Sequence, residues 1–246
     1  LKQTYSDFEV IIVDDGSEDN TSERVARYRD PRIRYIRHET NVGQNHALNT
    51  GLSMARGVYV SFLDSDDEWL PEMLERVMEK FRGDADLGCV YTRYDFADDR
   101  GEVRQGQRYD LEGYIYADAL RQGYISSPTT LSAKKTCFER VGNFELDNIA
   151  CQDDVMCLKL AKEYKFGLIR DSLAIMHSDG GDQLTANAKR TAEDTYKLYE
   201  KFKLDIIAYC GNKALARHYA NAGVLYVNAG ERIRALELFC KALRYD

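Results

Sequence analysis

Two short apolar runs in this chain end in carboxylates, and this arrangement constrains the fold more than any other feature. Residues 8–13 lead into Asp14 and Asp15, and residues 58–63 lead into Asp64. Apolar runs of this length, bounded by turn residues, indicate buried strands. Ligands of open α/β sheets bind in the crevice at the carboxyl ends of the strands. We therefore expect several carboxylates along one rim of a sheet.

Strand and helix patterns alternate along most of the chain. Strands are predicted at residues 8–13, 33–36, 58–63, 87–94, 166–169 and 173–176, and helices at 21–29, 45–55, 71–81 and 153–164. This alternation is typical of α/β proteins and predicts a mostly parallel sheet flanked by helices. From about residue 97 to residue 131 the pattern loosens, and no element is predicted there. The end of the chain predicts a helical hairpin that turns near residues 228–230.

Composition and charge exclude several classes of protein. Of the 246 residues, 44% are hydrophobic and 30% are charged, which is ordinary for a globular chain. A net charge of −7 without a basic face argues against nucleic acid as a partner. No apolar run approaches the ~20 residues that span a bilayer, and with no export signal we expect a cytoplasmic protein. The absence of G-x-G-x-x-G and C-x-x-C motifs argues against a dinucleotide oxidoreductase, a zinc finger and a thioredoxin.

The acidic strand ends suit three chemical tasks. Grouped carboxylates hold a hard cation, accept hydrogen bonds from ribose or a base, or act as a general base. The pair Asp64-x-Asp66 suits a divalent cation that also binds a diphosphate. Asp15, followed by Gly16, suits a hydrogen-bond acceptor at a sharp turn. The alternative interpretation is turn chemistry and helix capping, which we expect for Asp19.

Both acidic strand ends belong to longer motifs that occur in a fixed order. These motifs are QTYSDFEVIIVDDGS at residues 3–17, N-x-G at 41–43 and 49–51, A-x-G at 55–57, and FLDSDD-x-W-x-P at 62–71. In this order and spacing they resemble family 2 glycosyltransferases of the GT-A fold. The resemblance is dense over residues 1–95, thinner to about residue 185, and absent in the tail.

The resemblance implies a role for each acid of the two motifs. Asp15 corresponds to the residue that binds the nucleotide base, and Asp14 lies beside it. Asp64 corresponds to the first acid of a D-x-D motif, near the ribose, and Asp66 to the acid that ligates Mg²⁺ or Mn²⁺. His177 follows a predicted strand and matches a later histidine that completes the metal site. A solvated histidine at a strand end is the alternative for His177.

A downstream segment resembles the E-D motif that carries the catalytic base of the family. Gln152 replaces the glutamate, Asp153 matches the aspartate, and Asp154 adds a second acid. The register favours Asp153 as the base, and the choice between the two aspartates stays open. Leu48 stands where family members often carry arginine. Two expectations stay open: weaker contacts to the diphosphate, or substitution of the arginine by His46.

Together these features imply a metal-dependent, inverting glycosyltransferase. The donor implied is a nucleotide-diphosphate sugar, a UDP-sugar first of all, and the acceptor is a hydroxyl of a glycan, lipid or protein. The resemblance leaves room for peripheral association with the cytoplasmic face of a membrane. The alternative function is a catalytically degenerate module that binds a protein partner through its helical tail.

The domain organisation expected from the resemblance has two parts. Residues 1–205 form a GT-A domain that lacks the first strand and helix found in family members. Residues 206–246 form a helical tail, in which small residues at Gly223 and Ala235 fall at the spacing of one tetratricopeptide-like unit. An ordinary helical hairpin packed on the main domain is the alternative for this tail.

Overall fold

The computed structural model of the chain describes residues 1–98, 100–106, 110–123, 125–177 and 187–246. The strands are β1 Val10–Asp14, β2 Ile33–Arg37, β3 Tyr59–Ser61, β4 Glu68–Trp69, β5 Leu87–Ala97, β6 Val103–Gln105, β7 Leu131–Lys134 and β8 Lys165–His177. The helices are α1 Thr21–Ala26, α2 Gln44–Met54, α3 Met73–Gly83, α4 Tyr116–Gln122, α5 Lys135–Val141, α6 Gln152–Glu163, α7 Ala188–Lys201, α8 Lys203–Cys210, α9 Asn212–Asn228 and α10 Arg232–Tyr245, with a 3₁₀ turn at Pro128–Thr130.

The strands form two separate sheets within the described residues. β1 and β2 pair in parallel with each other, and the larger sheet has the order β3-β7-β5-β8-β4, with β6 pairing with β5. The expectation of a mostly parallel sheet holds for β1–β2 and for the long β5–β8 ladder, whereas the four other pairings are antiparallel. Each antiparallel pairing includes a short strand, and one of these strands, β7, lies inside the sheet between β3 and β5. β6, for example, follows β5 through a short hairpin, which requires antiparallel pairing.

One prediction of two short strands is also corrected. Residues 166–169 and 173–176 belong to the single strand β8. Its register against β5 shifts between Ile169 and Ser172, as at a β-bulge. Arg170 and Asp171 are the residues passed over, and their charges interrupt the apolar pattern that sequence analysis follows.

A tight turn after β1 fixes the direction in which its carboxylates leave the sheet. Gly16 has a φ of +77°, and a Cβ added there would lie 2.6 Å from the amide nitrogen of Asn41. Only glycine fits such a turn without strain. The turn is thereby packed against the loop that leads into α2.

Two hydrophobic clusters hold the larger sheet between helices. On one side, α3 buries Met73, Val77 and Phe81 against β5 and β8. These residues recur at every fourth position, which places them on one face of the helix. The other cluster extends from Leu52 in α2 through the sheet and α6 to Ala242 in α10.

The C-terminal helices form the predicted hairpin and pack on the rest of the chain. A Cβ on Gly223 of α9 would lie 2.6 Å from the ring of Phe239 of α10, so the two helices cross closely at a small residue. Inside the fold, His218 of α9 stacks on Tyr199 at 4.4 Å and contacts the carbonyl oxygen of Leu120 at 2.7 Å. The tetratricopeptide-like character of this hairpin and the division at residue 206 stay predictions. Among the residues described, no helix combines the length and the apolar character that crossing a membrane requires.

Candidate active site

Both oxygens of the Asp14 carboxylate, at the end of β1, accept hydrogen bonds from groups of the same chain. Its Oδ1 accepts a hydrogen bond from the Ser17 amide at 2.7 Å, and its Oδ2 accepts one from the Tyr35 hydroxyl. Burial raises the pKa of Asp14, but these hydrogen bonds outweigh burial and hold the pKa below its ordinary value. Asp14 therefore stabilises the turn as an ionised group.

Asp15 closes the loop that precedes α2. Its two carboxylate oxygens accept hydrogen bonds from the amides of Val42 at 3.1 Å and Gly43 at 2.7 Å. The same carboxylate lies 2.7 Å from Nδ1 of His38, whose Nε2 contacts the Thr50 hydroxyl at 3.0 Å. Burial raises the pKa of Asp15, while the hydrogen bonds from His38 and the two amides lower it by more. A nucleotide base at Asp15 would have to share or replace these partners.

Asp64 lies in the acidic loop that follows β3, residues 64–67, which also contains Asp66 and Asp67. It is half-buried, and Gln44 donates a hydrogen bond from Nε2 to its Oδ1 at 3.4 Å. Burial, together with the charges of Asp67, Asp66 and Asp153, raises its pKa to about 6. The acid of α6 is therefore close enough to the acids of the β3 loop to affect their ionisation.

Asp67 ties this acidic loop to two other parts of the fold. Its Oδ2 accepts a hydrogen bond from the Thr129 hydroxyl, and its Oδ1 accepts one from the His177 amide at 3.2 Å. The Thr129 hydroxyl also accepts from the Asp64 amide at 3.3 Å, and the Thr129 carbonyl accepts from the Trp69 indole at 2.7 Å. Thr129 is not among the predicted site residues, because the 3₁₀ turn that carries it lies in the stretch without a periodic pattern.

The two residues predicted to hold a metal lie beside the same loop. The Asp66 side chain is exposed. Nε2 of His177 lies 3.2 Å from the Glu68 carboxylate, which is close enough for an ion pair, but the two groups are not aligned for a hydrogen bond. Within the described ranges no group of three acids, histidines or cysteines could hold a metal ion. Mg²⁺ commonly takes only one or two carboxylates from the protein and fills its shell with phosphate oxygens and water. The exposed Asp66 carboxylate, with its hard oxygen donors, fits such an ion.

Asp153 and Asp154 occupy the first turn of α6. The Asp154 amide donates to Asp153 Oδ1 at 3.0 Å, and the positive end of the helix favours one negative charge there. Asp153 borders a small recess whose other lining residues are mostly apolar, namely Phe62, Pro128, Leu131, Phe144, Met156 and Cys157. Burial raises the pKa of both acids, and the neighbouring charge of Asp153 raises that of Asp154 further. The close pair therefore favours a single negative charge at the start of α6.

A family model and curated relatives match this chain. The family model described as Glycosyl transferase family 2 matches residues 1–144. The chain is 28% identical over 206 residues to TuaG of Bacillus subtilis, a glycosyltransferase named for teichuronic acid biosynthesis, covering 82% of this chain and 80% of TuaG. It is 44% identical over 96 residues to the chondroitin synthase of Escherichia coli, covering 37% of this chain. That match spans only 14% of the length of the synthase.

Solved structures share the fold at low sequence identity. The structure of S. aureus TarS 1–349 in complex with UDP superposes with a TM-score of 0.62 and 16% identity, over 100% of this chain and 85% of TarS 1–349. The mannosyltransferase PcManGT from Pyrobaculum calidifontis, in complex with GDP-Man and Mn²⁺, gives a TM-score of 0.61 and 18% identity, over 98% of this chain and 80% of PcManGT. At these identities the similarity establishes the GT-A-like fold alone.

Proposed function

The chain belongs to glycosyl transferase family 2, and from this membership we propose that it moves a sugar from a UDP-sugar to a hydroxyl of a growing polysaccharide. The reaction proposed is metal-dependent and inverts the anomeric centre. The names of two relatives, which refer to teichuronic acid biosynthesis and to chondroitin, support a polysaccharide acceptor. The UDP bound to TarS supports a nucleotide as the carrier of the donor sugar.

One observation carries the proposal. Gln152, which directly precedes Asp153 in α6, donates a hydrogen bond to Gln44, and Gln44 donates one to Asp64 in the loop after β3. A donor held near Asp64 and an acceptor held near Asp153 would therefore meet across one rim. Placing two reactants in such geometry removes much of the entropic cost of their encounter.

In the proposed mechanism Asp153 acts as the general base. It takes the proton from the acceptor hydroxyl while that oxygen forms a bond to the anomeric carbon. The bond from this carbon to the diphosphate oxygen breaks on the opposite face, and the nucleoside diphosphate leaves with the electron pair. The raised pKa of Asp153 suits a base that works near neutral pH. One displacement of this kind converts an α-linked donor into a β-linked product.

The remaining residues bind the donor in this proposal. Asp66 and His177 would hold Mg²⁺ or Mn²⁺, which when bound supplies positive charge to the diphosphate. Asp64 would accept a hydrogen bond from the ribose, and Asp14 and Asp15 would support the nucleotide base. Leu48 cannot supply a positive charge, so the diphosphate depends on other groups for neutralisation.

The proposal is tested by transfer and hydrolysis assays with a set of UDP-sugars in the presence of Mn²⁺. Asp153→Asn should lower the rate by about 10²–10⁴-fold, the usual contribution of a general base, and leave UDP binding unchanged. Asp66→Ala should instead weaken Mn²⁺-dependent UDP binding. The exposed Asp147→Asn serves as a control and should behave like the wild type.

Two outcomes would contradict this assignment. Wild-type activity in Asp153→Asn, together with loss of activity in Asp154→Asn, would transfer the role of base to Asp154. A wild-type chain that neither hydrolyses UDP-sugars nor gains thermal stability with UDP would favour the degenerate binding module.

A further inference from the structure

Two glutamine side chains connect the acidic loop after β3 with the start of α6. Gln44 is the first residue of α2, and Gln152 is the first residue of α6. Gln152 donates a hydrogen bond from Nε2 to Oε1 of Gln44 at 2.7 Å, and Gln44 donates from Nε2 to Oδ1 of Asp64 at 3.4 Å. We call this pair of side chains, Gln44 and Gln152, the glutamine bridge. It links three elements that are far apart in sequence.

The orientation of the glutamine bridge follows from the carboxylate at its end. An ionised carboxylate only accepts hydrogen bonds, so Gln44 must turn its amide nitrogen toward Asp64. The carbonyl oxygen of Gln44 then faces away and needs a donor. Gln152 supplies that donor from its amide nitrogen. Each link therefore fixes the direction of the next.

Gln152 has little freedom to make any other contact. The residue is buried, with only 7% of its surface exposed. Its Oε1 is buried and has no hydrogen-bond partner among the described residues. An orphan acceptor of this kind carries a desolvation cost. The fold tolerates this desolvation cost, and the amide nitrogen of Gln152 keeps its hydrogen bond to Gln44.

We propose that Gln44 is a positioning residue that holds the Asp64 carboxylate for the donor, and that Gln152 holds Gln44 in the orientation required. This inference rests on the proposed function, because it assigns Asp64 to the ribose of the nucleotide. An ionised glutamate at position 152 would place a carboxylate oxygen, which cannot donate a hydrogen bond, next to Oε1 of Gln44. It would also add a negative charge next to Asp153. The glutamine bridge therefore requires a neutral amide at residue 152.

The inference is tested by nucleotide binding and by steady-state kinetics. Dissociation constants of UDP, GDP and dTDP are measured by calorimetry with Mn²⁺, and kcat and KM are measured with the UDP-sugar that the wild type uses. Gln44→Ala should weaken nucleotide binding and raise the donor KM by about fivefold to tenfold, the usual effect of one hydrogen bond, with kcat within about twofold of the wild type. Gln152→Glu should weaken binding by a similar factor.

A charge-pair variant separates positioning from a general loss of structure. In the double variant Gln44→Lys with Gln152→Glu, the ammonium group can donate to both Asp64 and the new glutamate, so nucleotide affinity should return to within about threefold of the wild type. The exposed Gln122→Ala on α4 is a matched control and should bind like the wild type. Thermal unfolding of every variant identifies those that fail to fold.

The outcomes distinguish this inference from the function on which it rests. A wild type that binds none of the three nucleotides would overturn the proposed function. A wild type that binds, with Gln44→Ala and Gln152→Glu binding equally well, would overturn the positioning role alone. Weakened binding in Gln152→Glu that the added lysine does not restore would also overturn it, provided that both variants fold.

Discussion

Replacing Asp64 by asparagine should stabilise the protein, and the gain should depend on pH. Burial and the neighbouring acids raise the pKa of Asp64 from its ordinary 3.8 to about 6. Because the folded state binds this proton more tightly than the unfolded state, the cost of ionising Asp64 grows as the pH rises from about 4 to about 6. At about 1.4 kcal/mol for each pKa unit, the full cost is about 3 kcal/mol above that range. Solvent contact of the half-buried side chain makes this an upper value.

Asparagine removes the charge and keeps an oxygen that can accept the hydrogen bond from Gln44. Urea unfolding of the wild type and of Asp64→Asn at pH 8 and pH 5 measures the effect. The variant should be more stable by up to about 3 kcal/mol at pH 8 and by about half as much at pH 5. The exposed Asp7→Asn is the control and should differ from the wild type by less than about 0.5 kcal/mol. Equal stability of Asp64→Asn and the wild type at pH 8, or a difference that does not shrink at pH 5, would refute the reasoning.

Three further predictions concern the base, the core and the turn. The transfer rate should fall as the pH drops through the raised pKa of Asp153, because the base must be ionised; a kcat profile that stays flat from pH 8 to pH 5 would contradict this. Phe81→Ala removes a buried ring and should lower the free energy of unfolding by about 3–5 kcal/mol in urea, and a loss below about 1 kcal/mol would show that the site collapses. Gly16→Ala should lower the melting temperature more than Gly101→Ala does. Both glycines have a φ of +77°, but only an alanine at position 16 would bring its Cβ too close to the backbone of Asn41.

The acidic strand ends and the helices with regular apolar spacing could be predicted from the sequence. The prediction that Asp64 and Asp153 serve one site depended on motif order, and the fold adds the hydrogen bonds that link the start of α6 to Asp64 through Gln44. α3 illustrates the helices that are predictable, because every fourth residue is apolar and buried. Periodicity of this kind reports burial against a neighbouring layer.

The parts that escaped prediction depend on contacts between distant residues. Nothing near Thr129 in the sequence shows that its hydroxyl will lie between Asp64 and Asp67, more than 60 residues away. The pairing of Gln44 with Gln152 spans 108 residues and follows no repeat. Single-sequence patterns describe which face of an element is buried, and they carry no information on which polar groups then meet.

The hydrophobic cluster that extends from Leu52 to Ala242 has a consequence for how such a chain evolves. A unit that can be exchanged between proteins carries its own core and leaves the remainder intact when it is removed. Leu215 and Tyr219 of α9 are fully buried within the same cluster as the sheet and α6. If recombination joined a different tail at residue 206, apolar surface would be exposed on the sheet and α6, and also on the helices that had been removed. Because the helical tail and the sheet share this core, we expect a substitution in one to limit the substitutions that the other tolerates.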